Sequence, residues 1–241
     1  MVRRRAGPLL DLRTELPHGA SVSLLTATWR LVAASLSLLA VLASPAWPAG
    51  EPGRFDHYVL TLSWSPTYCE TAAQADPGQC DRARPFAFVV HGLWPQYERG
   101  WPEFCRKPAP FVPEPVLRGM LDIMPSRGLV LHQWRKHGTC SGLDANAYFG
   151  TVRRAFGEVT IPPQFRHLDT YRSVSPDDVE AAFRAANPGL AANMIAVDCD
   201  GRRLTEVKIC LDRRLDFAPC AEVDRRACRA SRIVMPPTRG G

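Results

Sequence analysis

Two short segments hold most of the side chains whose types and spacing could do chemistry together. HGLWPQY at residues 91–97 and LHQWRKHGTC at 131–140 contain three of the chain's six histidines. The second segment has helical spacing over 129–137, and Gly138 is a typical C-terminal stop. Side chains four residues apart share a face of a helix, which pairs His132 with Lys136 and Gln133 with His137.

These segments offer an acid and a base for proton transfer. His137 falls in the last helical turn, where carbonyl dipoles favour a protonated imidazole. The sequence therefore predicts a raised pKa for His137, which suits a general acid near neutral pH. The apolar run at 85–94 predicts a buried strand ending at Gly92 that delivers His91 to its edge as the complementary base.

One reaction needs such a set of groups. A base removes the proton of a 2′-hydroxyl, the oxygen attacks the neighbouring phosphorus, and an acid protonates the departing 5′ oxygen. Cations such as Lys136 offset the charge of the transition state. No metal is needed, because the nucleophile is already part of the substrate.

Spacing by itself leaves other interpretations open. A lone histidine near a strand end is most often structural, and HQWRKH can be a solvated helix face. Zinc ligation is disfavoured, because His132 and His137 lie about 140° apart round a helix and do not share a face. The tryptophans at 64, 94 and 134 are more often core residues than binding platforms.

Strands and helices alternate irregularly along the chain, which predicts an α+β fold. Alternation at 55–64 predicts a half-buried strand with Tyr58, Leu60, Leu62 and Trp64 on its buried face. The remaining predicted elements are a loop at 95–115, helices at 116–124, 144–156 and from an N-cap at Ser175 to Ala186, and a hairpin at 193–211 turning at Asp200-Gly201.

Composition favours a globular protein with a mild preference for polyanions. The 241 residues are 46% hydrophobic and 22% charged, with a formal net charge of +6. Eight cysteines could form disulfides in an oxidising compartment or bind metal in a reducing one, and no CxxC pair is present to favour a zinc ribbon. The compartment therefore has to be judged from the N-terminus.

The apolar run Leu31–Leu42 predicts the hydrophobic region of a signal peptide. Small residues permit cleavage after Ala43 or Ala46. A membrane anchor is the weaker alternative, because prolines interrupt the run before it reaches the length of a bilayer span. We expect a leader over 1–46 and a single domain over 47–241 that is secreted or periplasmic, with no stable membrane association after cleavage.

HGLWPQY and HQWRKHGTC resemble the two active-site segments of the ribonuclease T2 family, whose patterns run approximately HGLWP and HEWxKHGTC. SWSPTYC at 63–69 and LTEVKIC at 204–210 match further landmarks of that family. The resemblance implies an antiparallel central sheet flanked by helices. It also implies a monomer without cofactor or metal that cleaves RNA, not DNA, to 2′,3′-cyclic phosphate ends. The implied disulfides are Cys69–Cys80, Cys105–Cys140, Cys199–Cys228 and Cys210–Cys220.

The resemblance also implies a role for each site residue. His91 is the general base, His137 the general acid, Lys136 the cation that stabilises the transition state, and His132 the phosphate ligand. Trp94 matches the tryptophan of the family segment, which stacks on a base of the RNA. Gln96, two residues later, matches the position that helps to recognise the edge of that base.

Gln133 departs from the family pattern, which has a glutamate at this position. An amide can still form hydrogen bonds but carries no charge, so the rate and pH optimum are open. Two functions follow: a metal-independent endoribonuclease, or a catalytically weak relative that binds RNA as a regulatory module.

Overall fold

The computed structural model describes residues 50–81 and 83–238; the predicted leader and its cleavage sites lie outside the described residues. The strands are β1 His57–Trp64, β2 Phe88–Gln96, β3 Arg172–Val174, β4 Ile195–Cys199, β5 Leu204–Leu211 and β6 Ile233–Met235. The α-helices are α1 Ser65–Thr71, α2 Glu114–Arg118, α3 Arg127–Lys136, α4 Ala145–Gly157, α5 Pro176–Ala186 and α6 Ala221–Arg225.

A four-stranded antiparallel sheet in the order β2-β1-β5-β4 is the centre of the fold. A smaller sheet pairs β3 with β6. The predicted α+β class and the antiparallel sheet are confirmed. Among residues 50–81 and 83–238, none of the helices has both the length and the apolar character that crossing a bilayer requires.

Strand β1 is buried on both faces, not half-buried as its alternation predicts. The predicted face of Tyr58, Leu60, Leu62 and Trp64 does pack into the main hydrophobic core. On the opposite face Val59 is only 1% exposed and packs against the Cys210–Cys220 disulfide. A central strand with a disulfide over its second face has no side in water, which alternation alone does not reveal.

Strand β2 continues beyond Gly92, where the sequence predicts its end. Proline is tolerated on an edge strand, so Pro95 still pairs with β1. The register between the two strands shifts at Thr61/Leu62, which leaves His91 without a partner in the ladder. His91 is therefore the extra residue of a β-bulge, a feature that re-aims a side chain and is common beside active sites.

Helix α3 lies where the sequence predicts it but begins and ends earlier. The side chain of Ser126 caps its start by accepting a hydrogen bond from the Leu129 amide at 3.1 Å. His137 is the C-cap residue, and a 3-10 turn, Gly138–Cys140, follows. Two other predicted helices are confirmed as α4 and α5, whereas the predicted helix at 116–124 is the shorter α2.

The predicted hairpin is formed by β4 and β5 and turns where expected. Gly201 has a φ of +91°, which favours glycine, and the Asp200 carboxylate accepts hydrogen bonds from the amides of Arg202 and Arg203. This turn sets the register of β5, whose alternate side chains then reach the sheet face opposite the main core. Glu206 and Lys208 are on that face.

The four disulfides are the pairs that the resemblance implies. Cys105–Cys140 joins the loop after β2 to the 3-10 turn after α3, with 5.0 Å between the Cα atoms. The same loop is held to the helix end by a hydrogen bond from the Phe104 amide to the carbonyl oxygen of Lys136 at 2.8 Å. The segments that contain His91 and His137 are thus connected outside the sheet.

Candidate active site

A cleft of about 360 Å³ lies between the sheet face opposite the main core and the C-terminal end of α3. That volume lies within the range of small-molecule sites. All seven residues that the sequence singled out line it, namely His91, Trp94, Gln96, His132, Gln133, Lys136 and His137. Six further residues line it that sequence reasoning missed, namely Val59, Trp101, Lys208, Glu222, Val223 and Arg226.

His91 is oriented by a carboxylate on a non-adjacent strand. Its Nδ1 lies 2.5 Å from Oε1 of Glu206, and its side chain is 33% exposed. Since Nδ1 is engaged with the carboxylate, Nε2 on the far side of the ring is the nitrogen left for a substrate. An imidazole held in this way can accept a proton at Nε2.

Glu206 belongs to a small charged cluster beneath the cleft. Lys208 contacts the Asp198 carboxylate, and its Nζ lies 3.7 Å from Oε2 of Glu206. Burial works against a charge on Glu206, but its hydrogen bond to His91 and the Lys208 ammonium outweigh burial and lower its pKa. Glu206 is therefore an anion, and it accepts hydrogen bonds.

Trp94 separates the two histidines. Its ring stacks on His137 with centroids 5.1 Å apart and meets His91 edge-on at 5.4 Å. Its Nε1 donates a 2.7 Å hydrogen bond to Oε1 of Gln133. The indole thus holds both imidazoles at a set spacing, a role that sequence reasoning did not assign to it; the predicted stacking on a base stays a prediction.

Position 92 has to be a glycine, because the indole of Trp94 and the side chain of Gln133 on α3 meet directly beside it. A Cβ at this position would overlap Oε1 of Gln133 and Nε1 of Trp94, the two atoms of that hydrogen bond. Glycine therefore lets the backbone of β2 approach α3 closely enough for the cleft to form.

The predicted rise in the pKa of His137 is wrong for the free protein. The side chain is only 5% exposed, and its Nδ1 is buried without a hydrogen-bond partner. Burial, followed by the positive charge of Lys136, lowers the pKa of His137 to about 3. Desolvation of a buried ring outweighs the carbonyl dipoles at the helix end, and burial could not be read from the local spacing.

Lys136 and His132 of α3 border the cleft beside His137. Nζ of Lys136 lies 3.6 Å from Oε2 of Glu103 in the loop after β2, an ion pair that the sequence did not suggest. His132 is exposed overall, but partial desolvation of its ring, followed by the positive charge of Lys136, lowers its pKa. The Glu103 carboxylate thus places a negative charge beside Lys136, whereas the neutral amide of Gln133 does not.

The remaining residues of the cleft come from segments in which no sequence pattern indicated a functional site. Trp101 is 41% exposed, and the Arg226 guanidinium lies over its ring at 5.4 Å. Glu222 of α6 forms a 2.6 Å ion pair with Arg226 and accepts a hydrogen bond from the Gly100 amide. Helix α6 is five residues long, so its sequence lacks the repeat by which helices are detected.

The sequence is similar to those of two bacterial ribonucleases. A ribonuclease of Aeromonas hydrophila is 44% identical over 99 residues, which cover 41% of this chain and 44% of that protein. Ribonuclease I of Escherichia coli K12 is 29% identical over 240 residues, covering 80% of this chain and 90% of that protein. The chain thus spans less than half of the first relative and nearly all of the second.

The fold agrees as well. The structure of RNase NT in complex with 5′-AMP superposes with a TM-score of 0.54 at 25% identity, over 76% of this chain and 99% of that one. The model of the Ribonuclease T2 family matches residues 55–220, a range that includes both histidine segments. These matches confirm the resemblance noted from the sequence, and the chain belongs to the ribonuclease T2 family.

Proposed function

We propose that the protein is an endoribonuclease that cleaves single-stranded RNA by metal-independent transesterification. The observation that carries this proposal is the pair of imidazoles, His91 and His137, on either side of Trp94 in one cleft with Lys136. Similarity to ribonucleases over most of the chain supports the same substrate class.

In the proposed reaction each histidine moves one proton. Nε2 of His91 takes the proton of the 2′-hydroxyl, and the oxygen attacks phosphorus in line with the departing 5′ oxygen. His137 donates its proton to that oxygen, which gives a 5′-hydroxyl and a 2′,3′-cyclic phosphate. His132 binds the phosphoryl oxygens, and Lys136 offsets the added negative charge.

A pKa of about 3 requires that His137 gain its proton after RNA binds. A phosphate near Lys136 brings negative charge next to the ring and neutralises the cations that oppose protonation. Both changes favour the imidazolium. The acid therefore forms in the complex with RNA.

The compartment and partners follow from the same features. Four disulfides persist in an oxidising environment, which supports secretion or a periplasmic location together with the predicted leader. RNA is the proposed partner, DNA is not, and the protein acts as a monomer without cofactor and without stable membrane association.

Chelation should leave the activity unchanged, whereas loss of the 2′-hydroxyl should abolish it. We expect RNA to be cleaved in EDTA with cyclic phosphate ends, while DNA and 2′-O-methyl RNA survive, because neither has the free nucleophile. End-group analysis of the products by mass spectrometry is the measurement. Loss of RNA cleavage in EDTA with recovery on adding zinc would contradict the mechanism.

The second candidate function is a catalytically weak RNA-binding protein, and the amide at position 133 favours it. Gln133 is 1% exposed and carries no charge beside the catalytic pair. Two contacts speak for an active enzyme. The amide still accepts the Trp94 hydrogen bond, and Glu103 supplies a carboxylate next to Lys136.

Restoring a glutamate at position 133 distinguishes the two functions. In Gln133→Glu the new carboxylate should raise the pKa of His137, so the acid stays protonated to higher pH and the pH optimum moves upward. We expect a change in rate of about tenfold or less, which corresponds to a change in the activation free energy of up to about 1.4 kcal/mol. The measurement is a pH–rate profile on one dinucleotide.

Gln133→Met is the matched control, since it removes the acceptor for Trp94 without adding charge. It should lower the rate without moving the optimum upward. An inert wild-type protein that gains large activity with the single glutamate would instead establish the binding module.

A further inference from the structure

Sheet topology brings Glu206 to His91 from a strand that is not its neighbour. Both β2 and β5 pair with β1, so their backbones are about 10 Å apart. The β1 residue paired with Glu206 is Ser63, whose small side chain leaves room above the strand. Glutamate and the bulged histidine are long enough to meet across this gap, and they do so at 2.5 Å.

We propose that Glu206 is the positioning residue of His91, holding Nδ1–H so that Nε2 is the bare, proton-accepting nitrogen. This inference rests on the proposed ribonuclease function. When Nε2 takes the 2′-hydroxyl proton, Nδ1–H stays donated to Glu206, which does not itself become protonated. The carboxylate stabilises the imidazolium that forms and keeps the ring aimed at the cleft.

The charged cluster favours this role over a purely structural ion pair. Glu206 is closer to His91, at 2.5 Å, than to Lys208, at 3.7 Å. Lys208 has its own contact with Asp198 and does not depend on Glu206 for a partner. The Glu206 side chain is 16% exposed, and its pKa is lowered, so a partly buried anion is directed at one imidazole nitrogen.

The tautomer of His91 in the wild-type protein is the first test and does not depend on activity. We expect ¹⁵N-histidine spectra at mildly alkaline pH, assigned against His91→Ala, to show the Nδ1–H form. The Nε2–H form in the wild type would overturn the proposal even if the protein cleaves RNA. An inactive wild type with the Nδ1–H form would instead overturn the proposed function and leave this inference standing.

Glu206→Gln is the second test. Lys208 can only donate, so it should draw the amide oxygen to itself and turn the amide NH₂ group toward Nδ1 of His91. The ring should then switch to the Nε2–H form, and kcat should fall about 10- to 1,000-fold with KM within about threefold. Glu206→Gln with the Nδ1–H form and a kcat near wild type would contradict the positioning role.

Asp198→Asn is the matched control, because it removes a neighbouring carboxylate that contacts Lys208 and not His91. We expect the wild-type tautomer and a kcat within about twofold of the wild type, since the ion pair that is lost does not include the imidazole or its hydrogen-bond partner. A tautomer switch in Asp198→Asn would show that charge in the cluster, and not the Glu206 hydrogen bond, sets the state of His91.

Discussion

His137→Ala should be slow on RNA but close to wild type on a substrate whose bridging 5′ oxygen is replaced by sulfur. On RNA the loss should be about two to four orders of magnitude, the usual share of one proton-transfer group. A thiolate leaves without a proton, so the sulfur substrate no longer needs the general acid. Single-turnover rates on the two matched dinucleotides give the measurement.

His91→Ala is the matched variant for this experiment. It should be slow by about the same factor on both substrates, because sulfur at the 5′ position does not help to deprotonate the 2′-hydroxyl. The opposite result, with His91→Ala recovering and His137→Ala remaining slow, would exchange the two roles. That exchange is the specific alternative raised by the low pKa of His137 and the anionic partner of His91.

Loss of the Cys105–Cys140 disulfide should lower both stability and activity. The bridge closes a loop of 35 residues, for which chain entropy accounts for about 4 kcal/mol, within the usual range of 2 to 5 for a native disulfide. Replacing both cysteines by alanine also frees the loop that contains Glu103 and the turn that follows His137. Denaturant unfolding and kcat/KM measured well below the unfolding midpoint separate the two effects.

The Cys69–Cys80 disulfide is the control, because it joins α1 to the loop that follows, and neither segment contributes a residue to the cleft. Its loop of 11 residues predicts a smaller loss of about 3 kcal/mol. The folded double-alanine variant should keep wild-type kcat/KM. Equal loss of kcat/KM in the two variants would show that Cys105–Cys140 contributes to stability alone.

The local sequence was sufficient to predict a structural feature when all the residues that stabilise it lie in one short segment. The N-cap at Ser175 and the Asp200-Gly201 turn were predicted correctly because the groups that stabilise them are neighbours in the chain. The ends of β2 and the bulge at His91 were not, because they depend on pairing with β1. The length of a strand is set by its partner as much as by its own residues.

The sequence by itself determined which family the chain belongs to. Its two histidine segments identified that family, and the resemblance implied the proposed acid–base pair, the cation and the cysteine pairs. Each segment is short, and the side chains within it are held together by helical or strand geometry. No tertiary information is needed to recognise residues that are neighbours in the chain.

Only the tertiary structure decided the charged partners and the pKa values of those groups. Glu206 meets His91 across an intervening strand, and Glu103 meets Lys136 from a loop. Burial lowers the pKa of His137, and the Trp94 ring that stacks on it belongs to β2, about forty residues earlier in the chain. Desolvation and charge pairing act over a few ångströms of space whatever the separation along the chain, so the identity of a catalytic group can be read locally but its protonation state cannot.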